Sequence, residues 1–167
     1  MPTATATQVL ELVRGERQLL IELLRELTGA ESPSRHPDIH DRVRTLLTTM
    51  YADLDFEVRE VGRPGGPRHV YARPQKRRRH QPLQLLIGHY DTVWPVGTLE
   101  ERPFEVDGNV IRGPGVFDMK GGLVQSILAL RTLRNLDIDL PATPVIFVNA
   151  DEEIGSREST DAIRALA

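Results

Sequence analysis

Pro144-Val-Ile-Phe-Val148 is an apolar run of strand length, and Leu83-Gln-Leu-Leu-Ile-Gly88 is a second, mostly apolar one. Between them the period changes: from Lys120 to Asn135, Leu123, Ile127 and Leu130 fall on one side of a helix, with Val124 and Leu128 beside them. Strands that read as continuous apolar runs and are joined through a helix of about four turns point to crossover connections. The pattern therefore predicts an α/β fold with a mostly parallel sheet and helices on both faces.

The flanking sequence extends that frame. From Val9 to Thr28, Leu20, Leu23, Leu24 and Leu27 recur at helical spacing, and Gly29 supplies a stop, so one amphipathic helix is expected there. A second helix is expected from about Asp38 to Tyr51, where Ile39, Val43, Leu46, Leu47 and Met50 form a single stripe. The prolines of Glu31-Ser-Pro-Ser-Arg-His-Pro37 mark a loop between the two. Phe56 to Val61 alternates in period two, and the Gly62–Pro67 break precedes a short run, His69 to Ala72, as two strands joined by a turn. Asp107-Gly108 between β-formers predicts a hairpin over Phe104 to Ile111, and Ser159 to Ala167 opens a further helix.

Composition bounds what such a chain can do. Its 167 residues carry 21 Lys+Arg against 24 Asp+Glu, a formal charge of -3, with 40% hydrophobic residues. That allows a real core and lacks the surplus of cations a dedicated nucleic-acid binder spreads over one face. The absence of cysteine removes thiolate nucleophiles, thiolate metal sites and iron–sulfur clusters, and leaves His, Asp and Glu as metal ligands. No apolar stretch is long enough to span a bilayer, and the first eight residues lack the basic and apolar regions of a secretory signal, so a cytoplasmic protein is expected. The basic run Arg73 to His80, with five Lys or Arg in eight residues, reads as a solvated loop. A binder of acidic surfaces using Arg77, Arg78 and Arg79 is the competing reading.

Three clusters stand where ligands bind in open α/β sheets, beyond the carboxyl ends of strands or at a helix start. They are His89-Tyr-Asp91 after the first apolar run, Asp118 within Gly113-Pro-Gly-Val-Phe-Asp-Met-Lys-Gly-Gly122, and Asp151-Glu152-Glu153 after the second. Singly, each is weak evidence. Together they place one imidazole and several carboxylates at the ends of buried segments, where unpaired charge is costly unless a cation compensates, and this donor mix suits zinc. A dinucleotide reading of Gly113-Pro-Gly115 fails because Asp118 stands where the third glycine belongs and would repel a pyrophosphate. His36, His40, His69 and His80 read as surface or hydrogen-bonding residues. Trp94-Pro95 reads as an aromatic packed beside a rigid turn, close enough to the first cluster to line a pocket.

The segments 88–93, 113–122 and 149–156, with Glu31-Ser-Pro-Ser34 ahead of them, jointly resemble the dinuclear-zinc metallopeptidases that include glutamate carboxypeptidase, aminoacylase, acetylornithine deacetylase and succinyl-diaminopimelate desuccinylase. The wording is closest to the glutamate carboxypeptidase branch. The resemblance implies that His89 ligates one zinc, Asp118 bridges two and Glu153 ligates the other, with cobalt or manganese as alternative ions. It further implies that Asp91 fixes the imidazole of His89 and that Glu152 is the general base for hydrolysing the amide of an N-acyl amino acid or short peptide. No nucleic-acid or membrane partner is implied, and homo-oligomer formation stays open. Complete members of the family continue well beyond the third motif, adding ligands and a dimerisation lid. The whole of residues 1–167 is accordingly expected to be the N-terminal portion of a catalytic domain, without the lid and inactive alone. A non-catalytic remnant that binds metal weakly is the alternative.

Overall fold

The computed structural model describes residues 6–77 and 79–167. In chain order the helices are α1 (Ala6–Gly15), α2 (Arg17–Gly29), α3 (Asp41–Ala52), the single-turn α4 (Thr98–Glu101), α5 (Gly121–Asn135) and α6 (Thr160–Leu166). The strands are β1 (Phe56–Val61), β2 (His69–Pro74), β3 (Leu83–His89), β4 (Glu105–Asp107), β5 (Val110–Arg112) and β6 (Thr143–Asn149). The expected hairpin is β4–β5, separate from the main sheet.

The main sheet has four strands in the order β1-β2-β6-β3. The long crossover through α5 makes β3 and β6 parallel, as the pattern predicts. The sheet as a whole is mixed rather than mostly parallel, because β2 runs antiparallel to both β1 and β6. The cause is local: the turn between β1 and β2 is too short for a crossover, so the chain must double back.

Leu27, Val43, Leu47, Leu123 and Val124 form one core with Val70, Ala72, Ile146 and Val148, so α2, α3 and α5 share one face of the sheet. On the opposite face, Phe147 packs its ring against His69, and Leu83 and Ile87 stay 57% and 51% exposed. Helices α2, α3 and α5 therefore cover one face. The run Pro144 to Val148 of β6 is apolar because it is an interior strand, flanked by β2 and β3.

The single helix expected over residues 9–28 is two. The chain breaks at Glu16, after Gly15, a poor helix former, and the Glu16 carboxylate accepts a hydrogen bond from Arg131 Nε of α5 at 2.9 Å. The second expected helix begins as a 3-10 turn, Pro37–Ile39, before α3. Val43, Leu47 and Met50 of its stripe are buried, while Ile39 is left at the exposed start.

The β3–β6 register places the functional residues. His89 pairs with Asn149, so the residues that follow each strand leave the sheet at the same edge. Gly88 leaves room just there: a Cβ would lie 2.9 Å from Leu123 Cδ2 and 3.1 Å from Met119 Cε, so these side-chain ends of the layer that holds the Asp118 turn would have to shift.

Candidate metal centre

His89 ends β3 with its imidazole buried between two carboxylates. Nδ1 lies 3.0 Å from the backbone oxygen of Asp91 and 3.4 Å from its Oδ1, while Nε2 lies 2.9 Å from Asp118 Oδ1 and 3.9 Å from Glu152 Oε2. One ligand atom from each of His89, Asp118 and Glu153 falls within 4.8 Å of the others, which one ion can span. The three predicted ligands, from three separate segments, are therefore brought together. Asp91 and Glu152 stand beside them.

Asp91 is fully buried and its carboxylate organises the site from behind. It accepts hydrogen bonds from Ser34 Oγ at 2.6 Å and from the backbone N–H groups of Glu152 and Glu153 at 3.1 and 3.2 Å. One carboxylate thus aligns the imidazole, the loop ahead of α3 and the turn that carries both glutamates. Burial alone would raise its pKa; His89, Ser34 and the two N–H groups outweigh that and hold it below the usual carboxylate range. Burial likewise disfavours the imidazolium of His89, but Asp91 and Asp118 prevail and push its pKa up to about 9. Glu153 is raised by burial and by the charges of Asp118, Asp91 and Glu152, with His89 opposing. These are the signs of negative groups crowded in a site where a cation would relieve them.

Asp118 reaches the cluster on a tight turn, residues 116–120, that leads into α5 after a cis peptide between Asp118 and Met119. Gly115 opens the turn at φ 70°, and a Cβ there would meet Thr92 Cγ2 at 2.7 Å. Only glycine lets this turn lie against the segment that follows β3. Lys120 closes it from beneath: it is 1% exposed, and its Nζ donates to the carbonyls of Leu27 and Ala30 at 2.9 and 2.8 Å, with burial lowering its pKa to about 7.

The acidic triplet divides by direction. Asp151 turns inward and is fully buried, accepting hydrogen bonds from the N–H groups of Glu158 and Ser159 and from Ser159 Oγ, which ties down the entry to α6. Glu152 and Glu153 sit on a 3-10 turn whose N–H groups point at Asp91, leaving their side chains on the open side.

The remaining histidines separate into two pairs. His36 and His80 are exposed, whereas His40 and His69 are fully buried, with His40 Nε2 donating to Pro33 O at 2.9 Å and His69 Nδ1 accepting the Ala150 N–H at 3.1 Å. Both support the loops around Asp91. The hydrogen-bonding reading holds for His40 and His69, whereas Ser34 and Lys120 are supports with no signal in the sequence, since their partners lie 57 and 93 positions away. Trp94 lines a cavity of about 360 Å3 with Arg102 stacked 5.2 Å over its ring, and that cavity excludes the metal cluster. A smaller one, of about 250 Å3, opens directly beside Glu153. Of the basic run, Arg78 lies outside the described residues, and Arg77 lines a cavity with Pro74 and Gln81. No described helix is long and apolar enough to cross a membrane.

Comparison with known proteins agrees with this geometry. The sequence model described as "Peptidase family M20/M25/M40" matches residues 85–167, which contain all the clustered residues. Carboxypeptidase G2 of Pseudomonas sp. (strain RS-16) is 39% identical over 80 residues, covering 48% of this chain and 19% of that protein. N-formyl-4-amino-5-aminomethyl-2-methylpyrimidine deformylase of Halalkalibacterium halodurans is 43% identical over 76 residues, 42% of this chain and 18% of its own. The matched stretch thus spans about a fifth of either curated relative. The di-peptidase Dug1p of Saccharomyces cerevisiae shares the fold over 95% of this chain and 37% of its own, with a TM-score of 0.78 at 16% identity. Residues 85–167 thus match the model of peptidase family M20/M25/M40, and the fold is shared with a di-peptidase over nearly the whole chain.

Proposed function

We propose that this protein is the metal-and-base part of a zinc-dependent hydrolase of the glutamate carboxypeptidase type, cleaving the amide bond of an N-acyl amino acid or short peptide. The observation that carries the reading is the convergence of His89, Asp118 and Glu153 within 4.8 Å, with Glu152 Oε2 on the same side, 3.9 Å from His89 Nε2. The donor set fits zinc: a neutral imidazole nitrogen, oriented because Nδ1 faces Asp91, and two carboxylates. His89, Asp118 and Glu153 would hold the zinc, which would supply a Lewis acid that polarises a carbonyl and makes water more acidic.

The protein's own groups do the rest. Glu152, half exposed toward the open side, takes a proton as water attacks the carbonyl carbon, then returns it to the amine nitrogen as the C–N bond breaks. Asp91 keeps the imidazole of His89 in the tautomer whose Nε2 faces the cluster, and holds the Glu152–Glu153 backbone in place.

A second reading, a folded module that binds metal without turnover, is favoured by one observation: among the described residues a single three-residue group has its ligand atoms together, a set sufficient for one ion. Hydrolysis of N-acyl glutamates and short peptides, with bound zinc measured in the same samples, separates the two. Measured in a longer protein that carries these motifs together with the remainder of the domain, chelator-sensitive turnover that Glu152→Gln abolishes while retaining zinc supports the hydrolase; zinc retention without turnover there supports the module.

A further inference from the structure

The cavity of about 250 Å3 beside Glu153 is smaller than a pocket for a whole drug-sized ligand, but it suits one end of a substrate. Its wall combines Glu153 and Ile154 from the third motif, Val93 from the segment after β3, and Arg35 and His36 from the loop ahead of α3. Arg35 is the one arginine or lysine in that wall, it is exposed, and among the described residues its guanidinium has no hydrogen-bonding or ionic partner.

The backbone that presents Arg35 is nevertheless fixed on both sides. Ser34 N–H donates to Thr92 O at 3.1 Å, Thr92 N–H to Ser32 O at 2.9 Å, and His36 N–H to Pro33 O at 2.9 Å, while Ser34 Oγ holds Asp91. A cation with unused donors, carried on a pinned loop that lines a cavity bordered by Glu153 of the cluster, is arranged for an anion. Asp91, Asp118, Glu152 and Glu153 gather negative charge at the candidate centre. An anionic substrate needs a further cation on its approach. The larger cavity is a poorer candidate, since Arg102 is engaged with Trp94, Arg112 faces Asp107 at 3.6 Å, and Glu101 and Glu105 share its wall. Val93 and Ile154, 65% and 39% exposed, give the smaller cavity an apolar flank.

We infer that Arg35, with His36 beside it, forms the subsite that reads the substrate's carboxylate, so that the scissile amide of an anionic N-acyl amino acid lies at the His89–Asp118–Glu153 cluster. This rests on the proposed hydrolytic function, and it adds that selection for an anionic substrate resides in the loop ahead of α3.

The test compares N-benzoylglycine with N-benzoylglycinamide, which differ in the carboxylate, as ligands of the wild type and of Arg35→Gln, by calorimetry with and without zinc. A carboxylate can also ligate zinc, so the effect of Arg35→Gln on the preference decides. The expected result is that Arg35→Gln weakens N-benzoylglycine about tenfold or more, the loss expected for a charge-assisted pair, leaves the amide within about twofold, and leaves zinc affinity unchanged. A wild type that does not prefer the carboxylate, or a preference that survives Arg35→Gln, overturns the inference. Failure of the wild type to bind zinc overturns the hydrolase reading instead, and the metal-free comparison still decides the subsite.

Discussion

Ser34 and Asp91, 57 positions apart in the chain, are joined by a hydrogen bond of 2.6 Å in which the serine hydroxyl donates to Oδ2 of a fully buried carboxylate. The same carboxylate faces His89 and accepts the N–H groups of Glu152 and Glu153. The first loop of the protein is therefore mechanically connected to three residues of the metal centre.

Ser34→Ala removes one partner of this buried anion. It is expected to destabilise the fold by about 1–3 kcal/mol and to weaken zinc binding on the order of tenfold, the usual loss when support behind a ligand is removed. Urea unfolding and zinc titration check the two effects. Unchanged zinc affinity would detach Asp91 from the metal site.

Gly115→Ala introduces both a left-handed φ unfavourable for alanine and a 2.7 Å approach to Thr92 Cγ2. A loss of about 1–3 kcal/mol is expected, together with weaker zinc binding because the Asp118 turn must move. Gly97→Ala serves as control: its φ is 87°, but a Cβ there would meet nothing within 4 Å. Equal effects on zinc from both variants would contradict the packing argument.

Lys120→Met leaves the carbonyls of Leu27 and Ala30 without their donor inside the protein. Each orphaned acceptor costs about 1–3 kcal/mol, offset in part because a buried ammonium without a carboxylate contact is itself unfavourable. Net destabilisation measured by urea unfolding is expected; a more stable variant would show that burial of the charge dominates.

The metal-free protein should lose stability on the alkaline side. His89 has a folded pKa of about 9 against an ordinary 6.5, so its contribution is fully present below about pH 6.5 and disappears as pH rises through 9. Asp91, held low, contributes above its ordinary range and loses that contribution as pH falls through its folded pKa. Urea midpoints should decline from pH 7 to pH 9 in the wild type, and His89→Gln should flatten the decline. Zinc must displace the same proton, so its affinity should rise with pH across that interval.

The legible part of this protein was the part written in local pattern. The β3 and β6 runs, the β4–β5 hairpin and α5 announce themselves through period and punctuation, and the three motif segments carry the residues that meet at 4.8 Å. The antiparallel placement of β2 between β1 and β6 was not legible, because apolar content reports that a strand is interior without reporting its direction. Nor was the split of the Asp151–Glu153 triplet, which depends on N–H groups turning toward Asp91 from across the sheet edge. Lys120 resembles an ordinary helix-start lysine until α2 is seen to end against it.

Glu152 and Glu153 are adjacent yet assigned different tasks, and substitution should separate them. In a complete version of the enzyme, where turnover can be measured, Glu152→Gln should keep zinc within a few-fold and reduce kcat on the order of a hundredfold or more, whereas Glu153→Gln should weaken zinc first. Steady-state kinetics with zinc measured on the same samples would show the reverse order if base and ligand have been exchanged.

The central claim is that the metal sits among His89, Asp118 and Glu153, and calorimetric zinc titration of the wild type, His89→Ala, Asp118→Ala and Glu152→Gln tests it most directly. The account predicts measurable binding in the wild type and Glu152→Gln, and a loss of tenfold or more in each of the two ligand variants. Undiminished affinity in both His89→Ala and Asp118→Ala would contradict it.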